Sequence, residues 1–132
     1  MVVYKEYKRI KEEYSSCVVL IRVGNFYQTF DDDGIILNYL FDYQIKDKRI
    51  GFPVQTISKV VNKLNDSNIN YFVDNKYYSF DDNQYLQILD NSKEIYLLKE
   101  NIKDINNYLT DNIERKYIKR IIDKINEVID NG

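Results

Sequence analysis

The sequence has no histidine and no tryptophan, and it contains one cysteine, one proline and four glycines in 132 residues. Without histidine, the chain lacks the most common general base and the most common nitrogen ligand of metal sites. Four glycines do not supply a glycine-rich phosphate-binding loop. The lone cysteine, Cys17, cannot form an internal disulfide, and its place in an apolar segment predicts a buried core residue. These shortages predict a protein that is not an enzyme and that binds no metal and no cofactor.

Long hydrophobic runs are also missing. No segment approaches the ~20 apolar residues that span a membrane, and residues 1–5 contain no apolar signal segment. The length predicts one domain over residues 1–132, and 44% hydrophobic with 30% charged residues is typical of globular chains. We therefore expect a cytoplasmic protein without membrane contact. Thirteen tyrosines, with abundant asparagine, isoleucine and lysine, match A/T-rich codons and predict a low-G+C bacterium as the source.

Positive charge is scarce as well. The net charge of −2 argues against strong non-specific binding to nucleic acid, which normally needs a basic patch. Residues 1–30 carry five basic and three acidic side chains, whereas residues 31–92 carry six basic and ten acidic ones. Any contact with a phosphate backbone is therefore expected near the N-terminal end, and it should be weak and sensitive to salt.

The remaining pattern alternates short apolar segments with amphipathic ones. It predicts an α/β (α+β) fold in which a mixed β-sheet of about six short strands is covered by helices. The predicted strands are residues 17–23, 25–30, 42–46, 49–52, 70–73 and 76–80. The predicted helices are residues 4–14, 33–41 and 56–64. Asp31, Asp32 or Asp33 is expected to cap the second helix, and Thr56 to cap the third.

After Phe80 the pattern becomes helical. We expect a short helix to Leu89, a break at residues 90–92, and two amphipathic helices separated by a second break at residues 110–112. Two such helices predict an antiparallel helical hairpin, within a C-terminal extension over residues 81–132. The face formed by Ile113, Tyr117, Ile121 and Ile125 either packs on the domain's own sheet or binds a protein partner or a second copy.

The segment from Val18 to Phe30 is the most informative. It consists of an apolar strand, a Gly24-Asn25 pair and a second strand that begins with Phe26. Glycine tolerates positive φ and asparagine adopts it readily, so this pair favours a primed hairpin turn. An aromatic side chain at such a tip has little core to enter. Phe26 therefore either stacks on a flat partner such as a nucleobase or folds back onto a neighbouring ring.

The same residues resemble the N-terminal mismatch-recognition domain, domain I, of the bacterial DNA mismatch-repair family MutS. That domain opens with a helix reading Tyr-x-x-(Ile/Leu)-Lys, matched by Tyr7, Ile10 and Lys11. Its hairpin reads Arg-(Val/Met)-Gly-Asp-Phe-Tyr-Glu-x-Phe, matched by residues 22–30, and its later Gly-(Ile/Phe)-Pro motif is matched by residues 51–53. The resemblance predicts a domain I-like core at residues 4–80.

In that family the phenylalanine wedges into the minor groove and stacks on a mispaired base, and the glutamate hydrogen-bonds that base. The resemblance thus implies that Phe26 is the wedge and that Gln28 holds the glutamate position. Gln28 departs from the family, because a neutral amide both donates and accepts hydrogen bonds. The expected DNA-binding residues are Arg22, Asn25, Phe26, Tyr27 and Gln28.

Three functions follow as hypotheses. The first is a stand-alone module that binds mismatched or distorted double-stranded DNA through Phe26, without the clamp, lever arms and ATPase of the larger family proteins. The alternative is an interaction or scaffold domain that keeps the fold, has lost DNA binding, and binds a protein partner or a second copy through its C-terminal helices. A metal-dependent nuclease using Asp or Glu is a third, distant possibility.

Overall fold

The computed structural model describes the backbone of residues 2–112 and 115–131, and the side chains of residues 2–106 and 120–129. The chain divides into two compact units, residues 1–92 and residues 93–132. The helices of the described residues are α1 (Val2–Glu13), α2 (Asp31–Phe41), α3 (Ile57–Asp66), α4 (Tyr85–Asn112) and α5 (Arg115–Asn131). The strands are β1 (Val18–Val19), β2 (Ile21–Val23), β3 (Phe26–Phe30), β4 (Arg49–Pro53), β5 (Tyr71–Val73) and β6 (Lys76–Tyr78). The predicted α+β class, with a helical C-terminal part, is confirmed.

The strands form two three-stranded sheets instead of one six-stranded sheet. One sheet has the order β1-β5-β6, with β1 parallel to β5, and the other is the antiparallel sheet β2-β3-β4. The predicted strand over residues 17–23 contributes to both, because the chain leaves the first sheet at Leu20. The Leu20 N–H still donates to the Phe72 carbonyl at 2.9 Å, whereas Ile21 already pairs with Gln28.

Two hydrophobic clusters fill the first unit. In the smaller one, Tyr7 and Ile10 of α1 pack with Cys17, Val19 and Phe30, so Cys17 is buried as predicted. The larger cluster joins both sheets to α2, α3 and the start of α4. Its fully buried aliphatic members include Leu20, Ile36, Leu37, Ile50, Val60 and Leu64. Helices thus cover both sides of the strands, as the alternating pattern predicts.

The predicted strand over residues 42–46 is wrong. Of that segment only Lys46 makes a β-bridge, to Arg49, and β4 pairs along its whole length with β3 instead. The predicted turn at Asp47 and Lys48 is confirmed, since the two residues have φ angles of 53° and 62°. A five-residue partner in β3 offers β4 more ladder hydrogen bonds than the short segment before the turn.

The predicted helix break at residues 90–92 is also wrong, because α4 runs continuously from Tyr85 to Asn112. The Ser92 hydroxyl donates to the Ile88 carbonyl at 2.6 Å, one turn back. This contact satisfies the serine side chain without ending the helix. Residues of turn-forming type are therefore tolerated where the helix packs, since Leu89 and Ser92 are buried.

The acidic run at residues 31–33 does not cap α2 as expected. The helix begins at Asp31 itself, and its N-cap residue, Phe30, makes no side-chain capping hydrogen bond. Thr56 makes no such bond at α3 either, and its hydroxyl donates backwards to the Pro53 carbonyl at 2.8 Å. Asp33 is completely buried, so this run includes a core carboxyl group.

The second unit contains α4 from Lys93 onward and α5. The predicted break at residues 110–112 is wrong, because these residues continue α4, which runs to Asn112. Ile113 and the side chain of Tyr117 lie outside the described residues, whereas Ile121 is exposed. The antiparallel packing of the two helices stays a prediction. Within the described residues, no helix is long and apolar enough to cross a membrane.

Candidate nucleic-acid interface

The tip of the β2-β3 hairpin is a two-residue turn between Val23 and Phe26, which pair directly. Gly24 has a φ of 61° and Asn25 does not have a positive φ, which is the pattern of a type II′ turn. A Cβ atom on Gly24 would meet nothing within 4 Å, so the glycine is needed for its backbone angle alone. The Asn25 carbonyl accepts the Val54 N–H at 3.0 Å. This bond ties the tip to the end of β4.

The strand register assigns the predicted site residues to two different faces of the sheet. Partners in an antiparallel pair point to the same side, and successive residues alternate. Phe26 and Gln28 therefore share one face, whereas Arg22 and Tyr27, which pair with each other, share the opposite face. Of the predicted DNA-binding residues, the structure brings Phe26 and Gln28 together and separates them from Arg22 and Tyr27.

Phe26 has 50% of its surface exposed, although most large apolar side chains of the two sheets are buried. The two rings onto which it could fold have other partners. Tyr27 stacks on Phe52 at 5.8 Å between ring centroids, and Phe30 contacts Tyr7 at 5.2 Å. The Phe26 ring thus stands at the end of the sheet, with one half open to solvent.

Gln28 lies two residues along the same face and is half-buried. The two Cα atoms are about 7 Å apart by the ordinary rise of a strand. Gly51 pairs with Gln28 on the neighbouring strand, and a Cβ atom there would lie 3.9 Å from the Gln28 Cγ. The absent side chain leaves room beside the glutamine. The face therefore presents an aromatic ring next to an amide that both donates and accepts.

Tyr27 has a packing role instead of a place on the exposed face. Its side chain is 2% exposed, and its hydroxyl donates to the Asp74 carboxylate, 2.9 Å and 3.0 Å from the two oxygens. Burial raises the pKa of Tyr27, the Asp74 contact raises it further, and the Arg22 guanidinium opposes both. This buried side chain offers nothing to a ligand on the Phe26 face.

Arg22 supplies the positive charge at the tip. It is exposed, and its Nε donates to the Gly24 carbonyl at 3.1 Å. It projects from the face opposite Phe26, one register step from the Val23–Phe26 pair. Its guanidinium group therefore lies on the rim of the turn, on the side of the sheet away from the Phe26 ring.

The far end of the Phe26 face carries charges of both signs. A groove of about 530 Å³ opens there, lined by Tyr4, Phe30, Asp31, Asp47, Lys48 and Arg49. Two acidic and two basic side chains around this groove do not form a positive rim. The weak, salt-sensitive contact with a phosphate backbone expected from the sequence stays a prediction.

Sequence reasoning missed Asp33 as a central residue of this unit. Its carboxylate accepts from the Tyr7 hydroxyl at 2.7 Å, the Val19 N–H at 3.0 Å, the Lys11 Nζ at 3.1 Å and the Tyr85 hydroxyl at 2.6 Å. Burial raises the pKa of Asp33, and these four donors oppose that rise. Tyr7 and Lys11 lie one turn apart on α1, and this spacing was the available signal.

Among the described residues, no cluster of three or more Asp, Glu, Cys or His side chains is arranged around a common point. Asp33, the one carboxyl group with several close partners described above, is surrounded by donors of hydrogen bonds. Donors of this kind occupy the lone pairs that a cation would need.

Comparison with known proteins gives the family. Residues 2–74 match the family MutS domain I. The DNA mismatch repair protein MutS of Chloroflexus aurantiacus is 30% identical over 79 residues, covering 46% of this chain and 8% of that protein. MutS of Clostridium beijerinckii is 39% identical over 46 residues, covering 35% of this chain and 5% of that protein. The chain matches less than a tenth of the length of these curated relatives.

Proposed function

The chain belongs to the MutS domain I family, and from that premise we propose that it binds mismatched or distorted double-stranded DNA with Phe26 as the wedge residue. The single observation that supports this most is the half-exposed Phe26 ring at the tip of a tightly held hairpin. The other large rings of the hairpin, Tyr27 and Phe30, are buried. An aromatic ring that is exposed where its neighbours are packed is available for a partner.

The physical basis is the low energy needed to deform a mismatched step. An apolar wedge unstacks a base step and kinks the duplex, and steps that are already weakly stacked yield most easily. Stacking of one base on the Phe26 ring is worth about 1–3 kcal/mol. Gln28, beside it on the same face, then hydrogen-bonds the edge of that base as donor or acceptor.

The surrounding charge shapes the affinity. Arg22 at the tip and the few lysines of α1 neutralise one or two phosphates, so binding depends mainly on the distortion of the duplex. In this proposal the residues of the chain perform no catalysis and hydrolyse no nucleotide, and the protein acts on DNA in the cytoplasm. The Asn25 carbonyl holds the turn, and its exposed side chain, next to Phe26, is available for a contact with the DNA.

The test is a titration of fluorescein-labelled duplexes, one fully matched and one with a single central mismatch, at low salt. We expect the protein to bind the mismatched duplex more tightly and Phe26→Ala to lose that preference. Leu86→Ala is the matched control, because Leu86 is an exposed apolar residue outside the hairpin. Equal binding of the mismatched duplex by the wild-type protein and Phe26→Ala would refute the proposal.

A second candidate function is supported by a different observation. Large apolar side chains are exposed along the two C-terminal helices: Leu97, Leu98 and Ile105 on α4, and Ile121 and Val128 on α5. Exposed apolar side chains of this size are available for contact with another protein where they lie next to one another. Sedimentation at several concentrations, with wild-type protein and Val128→Lys, separates the possibilities. Self-association that the substitution abolishes supports a scaffold through these helices, and a strict monomer without a partner in a pull-down counts against it.

A further inference from the structure

A hydrogen-bonded contact fastens the hairpin tip to the other sheet of the unit. The Tyr27 hydroxyl, on the residue next to Phe26, reaches the Asp74 carboxylate and lies 2.9 Å and 3.0 Å from its two oxygens. Asp74 belongs to the turn between β5 and β6, in the sheet that does not contain the hairpin. We propose that Asp74 is a positioning residue that holds Phe26 in its wedge position through Tyr27. The effect of this contact on DNA binding rests on the proposed function, whereas the restraint of the hairpin tip does not.

The need for a tether follows from how Phe26 itself is held. Half of the Phe26 surface is exposed, so packing restrains the ring only in part and the backbone of β3 has to set its position. The backbone on one side is fixed by the Asn25 carbonyl, which accepts the Val54 N–H. On the other side it is fixed by Tyr27, whose ring stacks on Phe52 and whose hydroxyl is bound by Asp74.

The turn that carries Asp74 is suited to this role. Asp74 and Asn75 both have positive φ angles, 52° and 62°, so the turn is a tight two-residue connection between Val73 and Lys76, which pair directly. Asp74 therefore sits at a defined place. A wedge that is already oriented before binding loses less conformational entropy on the DNA, and this raises its affinity for a distorted site.

The contact also has a chemical requirement that can be tested. A carboxylate only accepts hydrogen bonds, so the Tyr27 hydroxyl must donate to it. Asparagine at position 74 keeps one acceptor oxygen, whereas alanine keeps none. The Asp74→Asn variant should therefore retain most of the tether, and Asp74→Ala and Tyr27→Phe should each remove it. Because these two substitutions break the same bond, their effects should not add.

The first experiment does not involve DNA. The sequence has no tryptophan, so Phe26→Trp introduces a unique fluorophore whose time-resolved anisotropy reports the mobility of the tip. We expect faster local motion when Tyr27→Phe or Asp74→Ala is added, and little change with Asp74→Asn. Tyr71→Phe is the matched control, because it removes a similar bond, the 2.9 Å contact with Asn65, elsewhere in the unit. Melting curves identify any variant that has lost its fold. If Asp74→Ala does not fold, the anisotropy of Tyr27→Phe, the milder substitution, tests the proposal.

The second experiment measures DNA. In proteins that keep the native Phe26, Tyr27→Phe and Asp74→Ala should each lower the ratio of the affinity for mismatched DNA to the affinity for matched DNA. The expected decrease is about two- to tenfold, the usual range for one hydrogen bond. Unchanged anisotropy in folded Tyr27→Phe and Asp74→Ala would overturn the positioning role. The other outcome is faster anisotropy decay in the Tyr27→Phe and Asp74→Ala variants while the wild-type protein shows no preference for mismatched DNA. That result would support the positioning role of Asp74 and refute the proposed function. Failure of the positioning role and failure of the proposed function are therefore distinguishable.

Discussion

Phe26 and Gln28 lie on the same face of β3, and the residue between them, Tyr27, points into the core. Because successive side chains of a strand point to opposite faces, Phe26 and Gln28 can contact one ligand together, whereas Tyr27 cannot contact it. An exposed ring beside an amide is a compact unit for holding one base by its face and one of its edges. The neutral amide of Gln28, where the family has glutamate, then leads to a prediction about pH.

Gln28→Glu should make mismatch binding depend on pH. The amide does not titrate, so the wild-type protein should bind equally well between pH 5 and 7.5. A carboxylate at position 28 is repelled by the phosphates, so the variant should bind better as the pH falls toward the ordinary glutamate pKa of about 4.3. A pKa shift of one unit on binding corresponds to about tenfold in affinity. Titrations of both proteins at several pH values test this, and parallel profiles would contradict it.

Asp33→Asn should destabilise the fold without any DNA being present. The buried carboxylate accepts from four donors, including the Lys11 ammonium, and the amide leaves that charge without its partner. Breaking a buried pair in this way costs about 3–5 kcal/mol of unfolding free energy. Urea denaturation measures the loss. Asp66→Asn, an exposed position at the end of α3, is the control and should stay within about 0.5 kcal/mol of the wild type.

Alkaline conditions should unfold the protein. Burial, with Asp33 adding to it, raises the pKa values of Tyr7 and Tyr85 above their ordinary value near 10. The folded protein therefore keeps protons that the unfolded chain releases, and stability is present below pH ~10 and is lost as the pH rises further. Each unit of pH costs about 1.4 kcal/mol for each such tyrosine. Denaturation midpoints should stay level from pH 8 to about 10 and fall above that pH, and Tyr85→Phe should make the fall shallower. A flat profile would contradict this.

Cys17 should be unreactive in the native protein. Burial raises the pKa of its thiol to about 12, although Lys11 opposes the rise, and the thiol donates to the Tyr14 carbonyl at 3.2 Å. Thiolate is the reactive form, so a disulfide reagent at pH 8 should label the thiol only as fast as the protein unfolds. Mass spectrometry over time, with and without urea, measures this. Equally fast labelling in both conditions would show that the thiol is accessible.

Local chemistry explains why much of the fold was predictable. The Gly24-Asn25 and Asp74-Asn75 turns follow from residues that tolerate the necessary backbone angles, and the helical spacing of Tyr7 and Ile10 identifies the buried face of α1. These signals lie within a few residues of each other. They correctly predicted both hairpins and the first helix.

The failures concern contacts between distant parts of the chain. The apolar run around Leu20 has the same sequence pattern whether it forms one strand or two strands in different sheets. The segments before and after Leu20, β1 and β2, are both mainly apolar, so the pattern does not show where the chain changes sheet. Three consecutive aspartates are typical of a helix start, and only the approach of α1 and α4 makes Asp33 a core residue. Ser92 continues a helix because its own hydroxyl bonds the turn before it. Position 27 was expected to contact DNA, but the alternation of β3 and the distant Asp74 direct it inward.

The most direct measurement uses Phe26→Trp as the sole indole of the protein. Stacking on a base quenches indole emission, so a duplex with one mismatch should quench it in a saturable way. A matched duplex of the same length, at concentrations that give equal occupancy, should quench it much less. Emission that stays unchanged while anisotropy of the labelled duplex shows binding would mean that the tip does not enter the helix, and this result would contradict the assignment of Phe26 as the wedge.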